Sequence, residues 1–136
     1  SFLLYLNKVD SGFLISTDMP YPGRNNDNYV GLVVPEKFKK RWHLIRRPDY
    51  LCLNKILEEV DELDVCHYDS DKSYLGRFST YRKLWPKMKS EGYFISDDIE
   101  DNLAFLDFCE EVRRDPVIIQ TSDNFGNSKY IGVIVK

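Results

Sequence analysis

No apolar run in this chain is long enough to span a bilayer, and none has the form of a secretory leader. A membrane protein is therefore not expected. Cysteine is scarce. Cys52, Cys66 and Cys109 show no metal-ligand spacing; Cys66 falls in a strand pattern and Cys109 in a helix pattern. They read as buried, reduced thiols, which suits a cytoplasmic protein. Histidine is scarcer still. His43 and His67 both sit in strand patterns without a partner at metal spacing, and both are expected to be packed and hydrogen-bonded. Excess positive charge is absent too, and the formal net charge of -3 argues against a general nucleic-acid binder. Lys37, Lys39, Lys40, Arg41, Arg46 and Arg47 do make one short basic region. A solvated face explains it first, a site for an anionic substrate or partner second. The chain has no internal repeat and no low-complexity linker.

What is present is ordinary globular material. With 43% hydrophobic and 30% charged residues over 136 positions, the chain is one domain at most. It starts at Ser1, and FLLYLNKV reads as the end of a helix already under way. The expectation is a single domain over 1–136 that begins inside a larger, N-terminally truncated one.

The spacing predicts a helix over Phe2 to Val9, stopped by Asp10, Ser11 and Gly12, then a short strand at Phe13 to Ile15 running into Asp18. MPYPGRNNDN is dense in turn formers and reads as a loop, within which Tyr21 and Arg24 are candidates to close over a ligand. Pro35 opens a helix, PEKFKKRW, and WHLIR is the next strand. Leu51, Leu53, Ile56, Leu57 and Val60 give one face of a helix that Asp49 can cap. Strands follow at Leu63 to Tyr68 and Gly92 to Ser96, separated by a helix from Tyr74 that should break near Pro86. Apolar spacing from Ile99 to Val112 marks another helix. The chain closes with strands at Pro116 to Thr121 and Tyr130 to Val135, whose short link allows only antiparallel pairing. Such alternation means a Rossmann-like, mostly parallel α/β sheet with helices on both faces and a C-terminal antiparallel strand pair.

Two of these strands end in acid. LDVCHY runs into Asp69 and Asp71, and GYFIS runs into Asp97 and Asp98. A helical crossover returns parallel strands to the same side, so both ends lie on one edge of the sheet. Ligands of open α/β sheets bind at that edge. Carboxylates crowded there repel one another unless a cation or a donor compensates. A hard divalent ion such as Mg²⁺ does so and keeps positions open for substrate. The alternative is that Asp98 caps the next helix and Asp97 meets solvent.

DSDKSYLGR, GYFISDDI and the closing strand pair together resemble the class I S-adenosylmethionine-dependent methyltransferases. The small-molecule and sugar O-methyltransferase branch is the nearest likeness. It often reads D-G-D-H-S-Y at the first acidic strand end and G-G-x-x-x-x-D-D at the second. The likeness covers nearly the whole chain. The family's sheet has its last strand inserted antiparallel between the fifth and sixth. Its first strand, with the glycine-rich turn that approaches the cofactor, has no counterpart here, since no G-x-G occurs before Gly12.

The resemblance implies S-adenosylmethionine as cofactor and a small-molecule hydroxyl as substrate. It implies that Asp18 accepts hydrogen bonds from the cofactor ribose and that Asp49 lies near the adenine, with Asp69 close to the cofactor as well. An acid at the position of Asp18 also serves NAD enzymes, so it marks a nucleoside more than a particular cofactor. The family's metal-dependent members use an Asp at the first strand end and an Asp-Asp or Asp-Asn pair at the second, matching Asp69, Asp97 and Asp98. Lys72, three residues after Asp69, stands where catechol-type enzymes place a lysine. A lowered pKa there would make it a general base, acting with Asp69. Otherwise it is a first-turn lysine paired with Asp69 or Asp71. Other readings are a nucleotide-dependent oxidoreductase, and a non-catalytic binding module, which the missing glycine-rich turn favours. An unpaired sheet edge would suit a homodimer.

Overall fold

The computed structural model describes residues 2–20, 23, 27–122 and 125–136. They divide into two compact units, Ser1–Asn54 and Lys55–Lys136. No helix among the described residues is long and apolar enough to cross a membrane.

In the first unit, helix α1 (Phe2–Val9) precedes strand β1 (Leu14–Thr17). Helix α2 (Glu36–Lys39) then leads to strand β2 (Trp42–Ile45). The two strands are parallel, in register from Leu14↔Trp42 to Thr17↔Ile45. Helix α2 is a single turn, because Pro35 caps it and the chain must straighten at Trp42 to pair with β1. Arg41 ties the start of the unit to β2, bonding the Asp10 carboxylate and donating to the Gly12 carbonyl at 3.0 Å. The Trp42 indole donates to Ser16 Oγ at 3.1 Å and lies against Gly31, where a Cβ would come within 2.5 Å of the ring. Glycine is doubly required there, since its φ is +74°.

Helix α3 (Asp49–Glu59) carries the chain from one unit into the other. Its buried residues Cys52, Leu53 and Ile56, with Val60 beyond, keep helical spacing.

The second unit contains strand β3 (Leu63–Tyr68), helix α4 (Tyr74–Leu84), strand β4 (Met88–Ser96), helix α5 (Ala104–Val112) and strands β5 (Val117–Ser122) and β6 (Ser128–Val135). The sheet order is β3-β4-β6-β5. Strands β3 and β4 are parallel, whereas β6 is antiparallel to both β4 and β5. The last strand is thus inserted between its two predecessors, as the family resemblance implies.

Several boundaries differ from expectation: β1 runs from Leu14 to Thr17 rather than from Phe13 to Ile15, and β6 begins at Ser128 rather than Tyr130. Pro86 ends α4 but tightens the chain into a 3-10 turn, Trp85–Lys87, and β4 resumes at Met88, ahead of Gly92. Glu91 takes up the extra length at φ 65°, and the β3–β4 register shifts there. The expected helix from Ile99 is split into a 3-10 turn, Ile99–Asp101, and α5, with Asn102 extended between them.

The core of this unit is aromatic. Tyr81 of α4 meets Phe94 of β4 edge-on at 5.2 Å and Phe108 of α5 at 5.3 Å. Trp85 closes on Phe108 at 5.7 Å. Gly132 of β6 makes room for Phe105: a Cβ there would sit 2.1 Å from the ring.

Candidate functional site

Strands β3 and β4 finish level. Tyr68 pairs with Ser96, and the Asp97 amide adds one more parallel rung by donating to the Tyr68 carbonyl at 3.0 Å. The residues that follow, Asp69 on one side and Asp97 and Asp98 on the other, therefore leave the sheet side by side. Carboxylate oxygens of all three lie within 4.8 Å of one another. Asp69 is exposed; Asp97 and Asp98 are half-buried.

Two lysines already address this cluster. Lys72 Nζ is 2.6 Å from Asp69 Oδ1 and 3.0 Å from Asp98 Oδ2. Lys129, at the start of β6, is 3.0 Å from Asp98 Oδ1 and 3.4 Å from Glu100 Oε1. Asp69, Asp97, Asp98 and Glu100 against Lys72 and Lys129 leave two negative charges uncompensated. That residue of charge fits a divalent cation, with oxygen ligands of the type Mg²⁺ prefers.

The same pairs set the protonation states. Burial disfavours the Lys72 ammonium, but the carboxylates of Asp69 and Asp98 outweigh it and hold the lysine above its ordinary pKa. The expected downward shift therefore has the opposite sign while both carboxylates face the lysine. Hydrogen bonds from Lys72 and Lys129 hold Asp98 below the ordinary 3.8, against a smaller effect of burial. A carboxylate lowered in the folded state adds stability that is complete above its unfolded pKa. That stability is lost as pH falls through the lower, folded value. Thermal midpoints should therefore drop on acidification below about pH 4, and Asp98→Asn should flatten that limb. Superimposable acid limbs for the two proteins would refute the assignment.

Asp98 does not cap the turn that follows it. It lies in the left-handed region at φ 49° and ψ 46°, with no capping bond from its side chain. Asn102 does the local work instead: its Oδ1 accepts from the Ala104 amide at 3.1 Å, and its Nδ2 donates to the Lys72 carbonyl at 2.8 Å. On the other loop, Ser73 caps α4 by accepting from the Gly76 amide, and Asp71 Oδ1 accepts from the Ser73 amide at 2.8 Å. Asp71 shapes the loop rather than the cluster.

No protein-family model matches the chain, and no curated protein matches it by sequence. Solved structures do match it. The O-methyltransferase from Bacillus cereus in complex with SAH superimposes with a TM-score of 0.66 at 16% identity, over 92% of this chain and 63% of that one. A cofactor-bound protein from MTB gives 0.65 at 13%, over 91% and 61%. The precorrin-6y C5,15-methyltransferase from Geobacter metallireducens gives 0.65 at 13%, over 99% and 73%. This chain has the class I methyltransferase fold. It spans less than two thirds of the length of the first two of these proteins.

Within the methyltransferase fold, Asp18 follows β1, and its amide donates to the Ile45 carbonyl at 3.0 Å, extending the β1–β2 ladder by one residue. Its carboxylate is bonded by Arg46, from the end of β2. Asp49 lies in the first turn of α3 and accepts from the Tyr50 amide at 2.7 Å. Both acids belong to the first unit, and the three-carboxylate cluster to the second. Tyr21 and Arg24 lie outside the described residues.

The histidines depart from expectation. His43 and His67 are both exposed, because each occupies a strand position that alternates outward; the His43 ring meets Phe13 in a tilted contact at 5.7 Å. Among the cysteines, Cys52 and Cys109 are buried and Cys66 is half-buried, all as free thiols. Desolvation pushes Cys66 and Cys109 up to about 12, leaving both protonated at neutral pH. Half of the basic region is paired with acids, with Lys39 on Glu36, Arg41 on Asp10 and Arg46 on Asp18.

Three residues of the cluster escaped sequence reasoning. Lys129 and Glu100 sit in polar stretches that carry no signal. Arg77 did leave one, as a charge in the middle of the apolar stripe of α4, where it is 1% exposed.

Proposed function

We propose that this chain is part of an S-adenosylmethionine-dependent methyltransferase that methylates a hydroxyl of a small molecule or sugar, with a divalent cation assisting. The carrying observation is the convergence of Asp69, Asp97 and Asp98 at the carboxyl edge of β3 and β4. The methyltransferase fold, in which ligands sit beyond that edge, supports it. The neighbour from Bacillus cereus holds SAH, which supports the cofactor.

In this reading Asp69, Asp97 and Asp98 would hold the cation, which would supply Lewis-acid chemistry by lowering the pKa of a substrate hydroxyl. S-adenosylmethionine, when bound, would supply the methyl group for transfer from its sulfur to the substrate oxygen. The protein's own part is placement and charge. Lys72, in reach of Asp69 and Asp98, is the side chain assigned to receive the hydroxyl proton, a role that needs its present partners engaged elsewhere. Asp18, at the end of β1, is assigned to the ribose hydroxyls, exchanging its pair with Arg46 for ligand bonds. Asp49 is assigned to the adenine side.

A non-catalytic binding module is the second reading. The observation in its favour is that Lys72 and Lys129 already neutralise much of the acidic edge. Calorimetric titration of S-adenosylhomocysteine separates the two, run on this chain and on a version extended upstream of Ser1. We expect binding that weakens about tenfold or more in Asp18→Ala, the loss of a hydrogen-bonded charge. Absence of heat from both proteins would leave the binding module as the reading.

A further inference from the structure

Arg77 is the one charged side chain among the largest fully buried residues of the described structure. Burying a guanidinium is costly, and an apolar side chain of similar size often packs such a site equally well. Its retention here asks what the five N–H groups do.

They are spent on the two loops that carry the acidic edge. Nη1 donates to the Asp97 carbonyl at 2.8 Å, and Nη2 to the Asp98 carbonyl at 2.8 Å. Nε reaches the Lys72 carbonyl at 3.4 Å. The remaining bonds are long: Tyr81 Oη at 3.4 Å, Ser96 Oγ at 3.3 Å and Asp101 Oδ2 at 3.3 Å. The two short bonds therefore bracket Asp98, the residue held at φ 49°. A non-glycine residue adopts that conformation only where its surroundings over-determine it. Asp98 in turn is where Lys72 and Lys129 meet.

We propose that Arg77 is the positioning residue of this edge: its planar fork clamps the Asp97–Asp98 backbone to the loop bearing Lys72, and so aims the carboxylates of Asp69, Asp97 and Asp98 at one point. The inference rests on reading that edge as a ligand site. A fork is needed because two carbonyls must be held in fixed relative orientation, which an ammonium does not do. The neutral partners Tyr81 and Ser96, themselves joined at 2.6 Å, hold the guanidinium from behind. The arrangement follows the general pattern in which outer partners orient the groups that touch a metal.

The test uses Mn²⁺ as probe, its free form counted by electron paramagnetic resonance, on wild type, Arg77→Met and Arg77→Lys. Both variants fill the space, and circular dichroism selects whichever is folded. We expect a folded variant to bind Mn²⁺ about 10- to 100-fold more weakly, the range seen when an orienting partner of a ligand is removed. Arg77→Lys should not rescue it. A folded variant with wild-type affinity overturns the proposal. Should wild type itself bind no Mn²⁺, the metal reading fails, and amide hydrogen exchange decides on Arg77 separately. Exchange at Asp97 and Asp101 should then rise about tenfold relative to Phe94 and Ile134, as local opening does. A uniform change, or none, overturns the positioning role.

Discussion

Asp97→Ala is expected to weaken divalent-ion binding steeply while leaving the fold intact. The carboxylate lies at the end of β4, half-buried, and accepts from the Asp98 amide at 3.1 Å. Little packing is lost on truncation, so stability should change by about 0.5 kcal/mol or less. Binding is another matter. Of the three carboxylates, Asp69 is paired with Lys72, and Asp98 with both Lys72 and Lys129. Among the described residues, Asp97 is the member with no lysine on it. Its removal takes away half of the uncompensated charge and one of three ligands. A loss exceeding about 100-fold in Mg²⁺ or Mn²⁺ affinity follows, since even outer-shell changes cost 10–100-fold. Lys129→Ala should act in the opposite sense and tighten binding, because it frees Asp98 from a competing cation. Titration calorimetry of the pair tests both signs. Equal affinities in all three proteins would remove the cation from the proposed chemistry.

The largest effect on stability is expected at Phe108. Its ring is 0% exposed and meets Phe78, Tyr81, Trp85 and Phe94 at centroid distances of 5.3 to 6.4 Å. It joins α5 to α4 and to β4 at once. Truncation to alanine costs about 3–5 kcal/mol when the surroundings cannot close on the cavity. Four aromatic neighbours in fixed edge and tilted contacts cannot close easily. A domain has only about 5–15 kcal/mol in total, so Phe108→Ala should unfold readily in dilute denaturant. Leu75→Ala, on the outer side of α4 with 79% exposure, should differ from wild type by about 0.5 kcal/mol or less. Chemical denaturation of the second unit's aromatic signal measures both. Comparable midpoints would mean that the aromatic cluster is not the core.

Much of this was legible because periodicity and strand-end chemistry agree between residues 63 and 98. Strand β3 has the expected bounds, α4 begins at Tyr74, and the three acids meet where a parallel crossover must bring them. The closing antiparallel pair followed from the shortness of its link. What the sequence hid was decided by partners distant along the chain. The helix cap offered as the alternative for Asp98 does not form, and its side chain meets lysines at positions 72 and 129 instead. Arg77 reads as a break in an apolar stripe, because its carbonyl partners come 20 and 21 residues later. Burial alone would push Lys72 down, but the carboxylates of Asp69 and Asp98 that face it hold it above its ordinary value. Strand alternation, not composition, turned His43 and His67 outward. The early start of β4 reflects a register that only β3 could supply.

The insertion of β6 between β4 and β5 bears on how the chain is made. Residues emerge from the ribosome in order, so β5 is synthesised before the strand that will pair it. Tyr93 must wait for Val135, and Phe94 for Ile134, before either finds its antiparallel partner. Helices α4 and α5 are complete by then, but the floor they rest on is not. The β3–β4 pair can form early, but the antiparallel half of the sheet is acquired in one late event, with the long stretch between β4 and β6 closed at the moment of pairing. Non-local closure of this kind is slow and leaves apolar strands uncovered meanwhile. Nascent chains stalled short of residue 128 would leave the backbone of β5 unpaired beside Val117, Ile118 and Ile119, side chains that stay exposed even in the finished fold, and such an open apolar edge is the form most prone to capture by chaperones or by one another.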